Sequence, residues 1–87
     1  MRYTIQLTKR AERELGRFDP SLQKRIQKQI DALAGDPYPP DSARLAGVRG
    51  LYRVRVGDYR IIYRVDSGVL VVLVIRIGHR REVYEHL

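Results

Sequence analysis

Two residues, Gly57-Asp58, separate the runs Leu51–Val56 and Tyr59–Val65, and no other feature constrains the fold of this chain as much. Apolar and basic residues alternate along most of both runs, which is the pattern of half-buried strands. A two-residue connection with Gly at its first central position fits a type II′ turn, and that turn joins antiparallel strands tightly. It also fixes the register. Val56 falls opposite Tyr59, Arg55 opposite Arg60, Val54 opposite Ile61, Arg53 opposite Ile62 and Tyr52 opposite Tyr63. One side of the hairpin then carries Tyr52, Val54, Val56, Tyr59, Ile61 and Tyr63, and suits packing against helices. The other side carries Arg53, Arg55, Arg60 and Arg64, with Ile62 among them.

The remaining elements are built around this hairpin. Asp66-Ser67-Gly68 reads as the next turn, with Gly68 suited to a left-handed bulge position. The run Val69–Ile75 is apolar throughout and is expected to lie centrally in the sheet, covered on both faces. If the second turn keeps register, Leu70, Val72 and Val74 join Ile62 on the arginine side. Tyr3–Leu7 alternates as a short strand and is the one candidate left to border Val69–Ile75. Thr8 offers a helix N-cap, followed by Ala11, Leu15 and Phe18 at helical spacing. Asp19-Pro20 opens a second helix with the stripe Leu22, Ile26, Ile30 and Leu33, which Gly35 and Pro37 end. Residues 35–50 form a long Pro- and Gly-rich loop that Leu45 and Val48 pin down. Loops of that length in small domains are often functional. The expected fold is one α+β domain over residues 1–87. Its order is β-α-α-β-β-β, with a two-helix hairpin on one face of a small, antiparallel-rich, four-stranded sheet.

Charge is distributed unevenly. The 87-residue chain carries a net +7, and residues 44–81 hold nine arginines and no lysine against two acids, Asp58 and Asp66. That stretch alone nets +7, and the rest of the chain nets zero. Arginine without lysine favours phosphate, which its planar fork grips through two hydrogen bonds. In the hairpin register, Arg55 and Arg60 stand directly opposite, with Cβ atoms roughly 5 Å apart, an arrangement that destabilises a sheet. A fold has no need of it, and a bound phosphate relieves it. Arg44, Arg49, Arg64, Arg76 and Arg81 extend the basic surface as candidates for binding RNA. There is no cysteine, so no disulfide and no Cys-based metal site. No apolar run approaches a membrane span, and the opening MRYTIQLTKR is no secretory signal, so the expected location is the cytoplasm. Paired carboxylates, a Gly-rich phosphate loop and a metal-ligand cluster are all missing, and no cofactor is expected.

The chemistry-bearing stretch is Gly78-His79-Arg80-Arg81-Glu82-Val83-Tyr84. It sets an imidazole, two guanidiniums and a phenol at the end of the arginine face. Such groups suffice to cut RNA without a metal, because RNA brings its own nucleophile, the 2′-hydroxyl. The protein has to accept that proton, steady the extra negative charge at phosphorus and help the 5′ oxygen leave. The residues alone leave two readings open for each remaining group. His79 is a proton carrier or a surface residue. Tyr84 is a proton carrier or base-stacking group, or else a C-terminal anchor in the core.

The segments Leu45-x-Gly47-x-x-Gly50-Leu51-Tyr52-Arg53-Val54-Arg55, Gly57-Asp58-Tyr59-Arg60-Ile61-Ile62-Tyr63, Val74-Ile75-Arg76-Ile77-Gly78-His79-Arg80 and Val83-Tyr84 together resemble the RelE/ParE superfamily of toxins. So does Thr8-Lys9-Arg10-Ala11 leading into Glu14-Leu15. The resemblance covers almost the whole chain. It implies a toxin of a type II toxin–antitoxin pair, closest to the RelE-like branch, which cuts mRNA in the ribosomal A site. The ParE-like branch, which poisons DNA gyrase without nuclease activity, is the alternative. By position, Arg53 and Arg55 fall on basic residues of the second strand and Arg60 on the arginine that stabilises the scissile phosphate. Arg80 falls on the arginine assigned to leaving-group protonation, and Tyr84 on the C-terminal tyrosine of the active site. The best-known pattern has lysines where this chain has Arg53 and Arg55, and arginine is a poor general base. The implied partners are the ribosome and mRNA, and an acidic RelB-like antitoxin that covers Ile62, Leu70, Val72 and Val74.

Overall fold

The computed structural model describes residues 2–83, along which the elements run β1 (Thr4–Leu7), α1 (Lys9–Arg17), α2 (Pro20–Ala32), β2 (Ala43–Arg44), β3 (Leu51–Val56), β4 (Tyr59–Asp66) and β5 (Val71–His79). Both helices start at their capping residues. Thr8 holds extended backbone and its hydroxyl oxygen accepts the N–H of Ala11 at 3.1 Å. The Asp19 carboxylate accepts the N–H of Leu22 at 3.0 Å, with Pro20 as the first residue of α2. Each cap satisfies an amide that an opening helical turn leaves without a partner.

The strands make one sheet in the order β1-β5-β4-β3-β2. β1 runs parallel to β5, and the other neighbours are antiparallel. The N-terminal strand thus supplies the missing neighbour of the last one. The sheet has five strands rather than four. The additional one, Ala43–Arg44, lies inside the long loop and is too short for any periodicity to reveal. Both helices cover one face. Ala11, Ile26, Ile30 and Leu33 meet Val54, Ile61, Tyr63, Val72, Val74 and Ile77 there in a core closed to solvent. Burying each of the larger side chains contributes roughly 1.5–3 kcal/mol.

The β3–β4 hairpin has the register its turn dictates, from Val56 opposite Tyr59 to Tyr52 opposite Tyr63. Gly57 sits at φ 59° while Asp58 stays at negative φ, as a type II′ turn requires. The second hairpin departs from expectation. Its strands close at Asp66 and Val71, so the turn is Ser67–Leu70, and the left-handed residue is Leu70 at φ 54° rather than Gly68. Val65, expected opposite Val69, stands opposite Val72. The shift is an odd number of residues, and an odd shift turns every side chain of a strand to the other face. Val72 and Val74 are therefore buried under the helices, not set among the arginines, and Leu70 belongs to the turn. The outer face of β5 carries Val71, Leu73 and Ile75 instead, all half-buried, so β5 is fully covered on one face only.

A second, smaller cluster forms on that outer face. Leu51, Ile62 and Val83 are buried there, with Leu45, Val48 and Ile75 packed around them. Leu45 and Val48 thus fasten the long loop as expected, though to the outer face, and the Leu45 N–H bonds the Leu51 carbonyl at 2.9 Å. Farther back in the same loop, the buried Tyr63 hydroxyl donates to the Pro37 carbonyl at 2.8 Å.

Candidate functional site

The outer face is divided by the Leu51–Ile62–Val83 cluster, and the arginines gather on either side of it. At the β3–β4 turn end, Arg55 stands directly opposite Arg60, and Arg53 follows on the same face of β3. Arg55 is exposed, while Arg53 and Arg60 are half-buried. On its other flank Arg60 faces Gly78 of β5, and the Val83 side chain packs over that glycine. Among the described residues, none of Arg53, Arg55, Arg60, Arg64 or Arg80 has a carboxylate within 4.0 Å, and the single ion pair is between Arg76 and Glu14. The Arg60 Nε atom is buried and makes no hydrogen bond among the described residues. A buried donor left so costs about 1–3 kcal/mol. The Arg80 N–H donates to the Asp58 carbonyl at 2.9 Å, which brings Arg80 to the same end of the sheet. Two strands, β3 and β4, and the turn after β5 therefore bring Arg53, Arg55, Arg60 and Arg80 toward one end of the sheet. Tyr84 lies outside the described residues.

The other arginines lie on the loop side. Arg44 and Arg49 flank a cleft of about 580 Å³ floored by Leu45, Val48 and Leu51. Arg49 and Arg64, joined by Arg10 from α1, edge a second groove of about 410 Å³ over Val48, Leu51 and Ile75. A third hollow of about 280 Å³ continues from Arg64 along Val69, Val71 and Leu73. Arg10 reads in sequence as part of a solvated helix face. Its place on the groove follows from how α1 crosses the end of β5, which no local pattern encodes. Arg81 is exposed, with its N–H toward His79 Nδ1 at 3.3 Å.

Two residues belong elsewhere than the sequence suggested. Arg76 is 6% exposed and is not part of the basic surface. Its Nη2 pairs with Glu14 Oε2 at 3.1 Å, and its Nη1 donates to the carbonyls of Glu82 and Val83 at 3.2 and 3.0 Å. Residues 44–81 thus present one positive charge fewer than their composition gives. His79 is paired with Tyr59, whose ring packs on Phe18 at the helix side of the sheet, and the imidazole meets Tyr59 edge-on at 5.8 Å. It therefore lies on the face opposite Arg55 and Arg60, which removes it as the group that takes a proton beside them. No group of three or more His, Cys, Asp or Glu among the described residues is placed to hold a metal ion. No helix among them is long and apolar enough to cross a membrane.

Comparison with known proteins gives a consistent result. The family described as "ParE toxin of type II toxin-antitoxin system, parDE" matches residues 5–84. A RelE-like toxin protein of Escherichia coli is 28% identical over 82 residues, covering 92% of this chain and 85% of its own length. The toxin–antitoxin complex RelBE2 of Mycobacterium tuberculosis contains a chain that superposes with a TM-score of 0.81 at 27% identity, covering 92% of this chain and all of that one. A chain of the archaeal RelE–RelB complex from Pyrococcus horikoshii does so with a TM-score of 0.81 at 28% identity, covering 95% of this chain and all of that one.

Proposed function

The chain belongs to the ParE toxin family of type II toxin–antitoxin systems, within the RelE/ParE superfamily, and from the arrangement of its arginines we propose that it is a metal-independent endoribonuclease that cuts mRNA on the ribosome in the cytoplasm. The observation that carries this reading is the pairing of Arg55 with Arg60, uncompensated by any carboxylate among the described residues, with the Arg60 Nε buried and without an acceptor. A phosphate group supplies the missing counter-charge. In the reaction, the 2′-oxygen bonds to phosphorus and the P–O5′ bond breaks, leaving a 2′,3′-cyclic phosphate and a 5′-hydroxyl. Arg60 stabilises the charge that builds at phosphorus. Arg53 and Arg55 act through their charge, since arginine holds its proton. Arg80 donates a hydrogen bond to the departing 5′ oxygen. With His79 on the far face, Tyr84 is the proton carrier of this scheme: its phenol oxygen takes the 2′-hydroxyl proton as its own hydrogen passes to the departing 5′ oxygen, so that no net proton is gained or lost. Arg44, Arg49, Arg64 and Arg81 hold RNA and ribosome through phosphate contacts.

The partner of the resting state is an acidic, RelB-like antitoxin. The neighbours RelBE2 and RelE–RelB are toxin–antitoxin complexes, which supports it. The groove edged by Arg10, Arg49 and Arg64 combines an apolar floor with a cationic rim, and an acidic amphipathic segment complements both.

The test is cleavage of mRNA on translating ribosomes by purified protein, with mass spectrometry of the fragment ends. Cyclic phosphate ends are expected, and Arg60→Ala should slow single-turnover cleavage about 100-fold, the scale for removing one preorganised donor. Fragments ending only in 3′-hydroxyls, or undiminished cutting by Arg60→Ala protein, would rule the mechanism out. The family match is to ParE toxins, and the second reading is the one that the ParE-like branch implies, inhibition of DNA gyrase by binding alone. Loss of supercoiling by purified gyrase in the presence of the protein, without RNA cleavage, would establish it.

A further inference from the structure

β5 outruns its parallel neighbour. β1 pairs with Val71–Val74 only, so from Ile75 onward that edge of β5 has no strand beside it among the described residues. Residues of α1 and its cap fill the place. The Thr8 hydroxyl donates to the Ile75 carbonyl at 2.8 Å, and Glu14 Oε1 accepts the Ile77 N–H at 2.9 Å. Edge groups of this kind must be satisfied somewhere, and here a helix does it with side chains. At the same point β5 bulges. Ile62 pairs with Arg76 and Tyr63 with Val74, so Ile75 has no residue opposite it. Bulges re-aim the side chains beside them.

The Arg76 guanidinium joins three elements. One nitrogen meets the second oxygen of Glu14 on α1, and another meets the carbonyls of Glu82 and Val83. Those carbonyls close a single helical turn after β5, in which the N–H groups of Glu82 and Val83 both donate to the His79 carbonyl at 2.9 and 3.0 Å. The last carbonyls of such a turn have no acceptor role within it, and a cation is the fitting partner. The turn contains Arg80 and leads directly to residue 84. No site role falls to Arg76 or Glu14 themselves, yet together they hold the segment that carries the leaving-group arginine.

We propose that Arg76 and Glu14 are positioning residues: their ion pair ties α1 to the 79–83 turn and fixes Arg80 against the Arg55–Arg60 patch. The claim rests on the nuclease reading for its effect on rate, and on the structure alone for its effect on the turn. Lysine carries the same charge as Arg76 but lacks the planar fork that serves carboxylate and carbonyls together. Arg76→Lys is therefore the informative variant, with Glu14→Gln as its counterpart, because glutamine can still accept the Ile77 N–H. Arg76→Met leaves the Glu14 carboxylate without its cation and serves only as a folding control.

Two measurements decide the matter. The first is amide hydrogen exchange in the free protein. Arg76→Lys and Glu14→Gln should speed exchange at Glu82 and Val83 tenfold or more and leave Ile61 and Tyr63 in the sheet unchanged. The second is single-turnover cleavage set beside ribosome affinity. The rate should fall about tenfold while affinity stays within twofold of wild type, the split expected when a catalytic group is misplaced. Uniformly faster exchange throughout the sheet would reduce the pair to a stability contact and overturn the proposal. So would a loosened turn with a wild-type cleavage rate, or an unchanged turn. If wild-type protein cuts no RNA, the nuclease reading fails, and the exchange measurement by itself upholds or overturns the tie between α1 and the turn.

Discussion

Arg55 and Arg60 face each other across the β3–β4 ladder, and among the described residues neither has a carboxylate within 4.0 Å. Like charges placed directly opposite in a sheet cost stability. The proposed site is thus held at the expense of the fold, and removing one charge should reveal the conflict. Arg55→Thr should raise stability by about 0.5 kcal/mol, a few degrees in Tm for a domain of this size. The gain should shrink at high salt, where exposed charges are screened. Thermal melts at two ionic strengths check it, with an RNA-binding assay alongside. A lower Tm for the variant at both ionic strengths would mean that the two guanidiniums are not in conflict.

Because the arginines of the positive surface have no acidic partner within 4.0 Å among the described residues, binding to RNA or ribosomes should release counterions. For about four phosphate contacts to single-stranded RNA, the slope of log K against log salt should be roughly −3. Arg64→Ala should make it shallower by somewhat less than one, whereas the buried Arg76 contributes no such contact. A slope near zero would make the concentration of charge in residues 44–81 incidental.

The flipped register of β5 has its own consequence. Leu73 is half-buried on the outer face, and Val74 is fully buried under the helices. Leu73→Glu should leave the protein folded and weaken capture of an acidic antitoxin tenfold or more, by placing a like charge in an apolar groove. Val74→Glu should abolish folding, because an unpaired buried charge costs several kcal/mol. Circular dichroism and a pull-down with the co-expressed antitoxin separate the two. The reverse pattern would restore the register in which Val72 and Val74 face the arginines.

Reading these elements from sequence succeeded where a local rule decides the outcome. Gly57-Asp58 fixes a register within two residues, and Thr8 and Asp19 announce helices through the amides they cap. It failed at the second turn because Asp66-Ser67-Gly68 and Ser67–Leu70 are both plausible by composition, and a left-handed leucine is a choice that no turn preference predicts. It also failed for Arg76 and His79. Both lie in a basic stretch that reads uniformly, and only α1 crossing the β5 edge and the pairing of His79 with Tyr59 separate them from the arginine patch. The patch itself was legible, since Arg53, Arg55 and Arg60 lie on strands whose alternation and turn length were plain.

Tyr63 gives a test of the long loop's attachment that depends on pH. Its ring is fully buried, it stacks near Tyr52 at 5.9 Å, and its hydroxyl donates to the Pro37 carbonyl at 2.8 Å. Burial pushes its pKa from 10.0 up to about 12, because the phenolate is poorly solvated there. Below pH 10 the folded and unfolded chains both keep this proton, and the stability it confers is fully present. Between pH 10 and about 12 the unfolded chain releases the proton while the folded chain retains it. Unfolding is then favoured progressively, by up to about 1.4 kcal/mol for each pH unit. Tyr63→Phe should lose about 1 kcal/mol at pH 8, the worth of one hydrogen bond. It should also lack this titration, so that the stability curves of wild type and variant converge as pH rises above 10 and cross before about 12. Taking their difference removes the contribution of the other tyrosines and of the lysines. Urea unfolding of both proteins at half-unit steps measures it. Parallel curves across that range would mean that the hydroxyl is reached by water and that the loop is not closed over it.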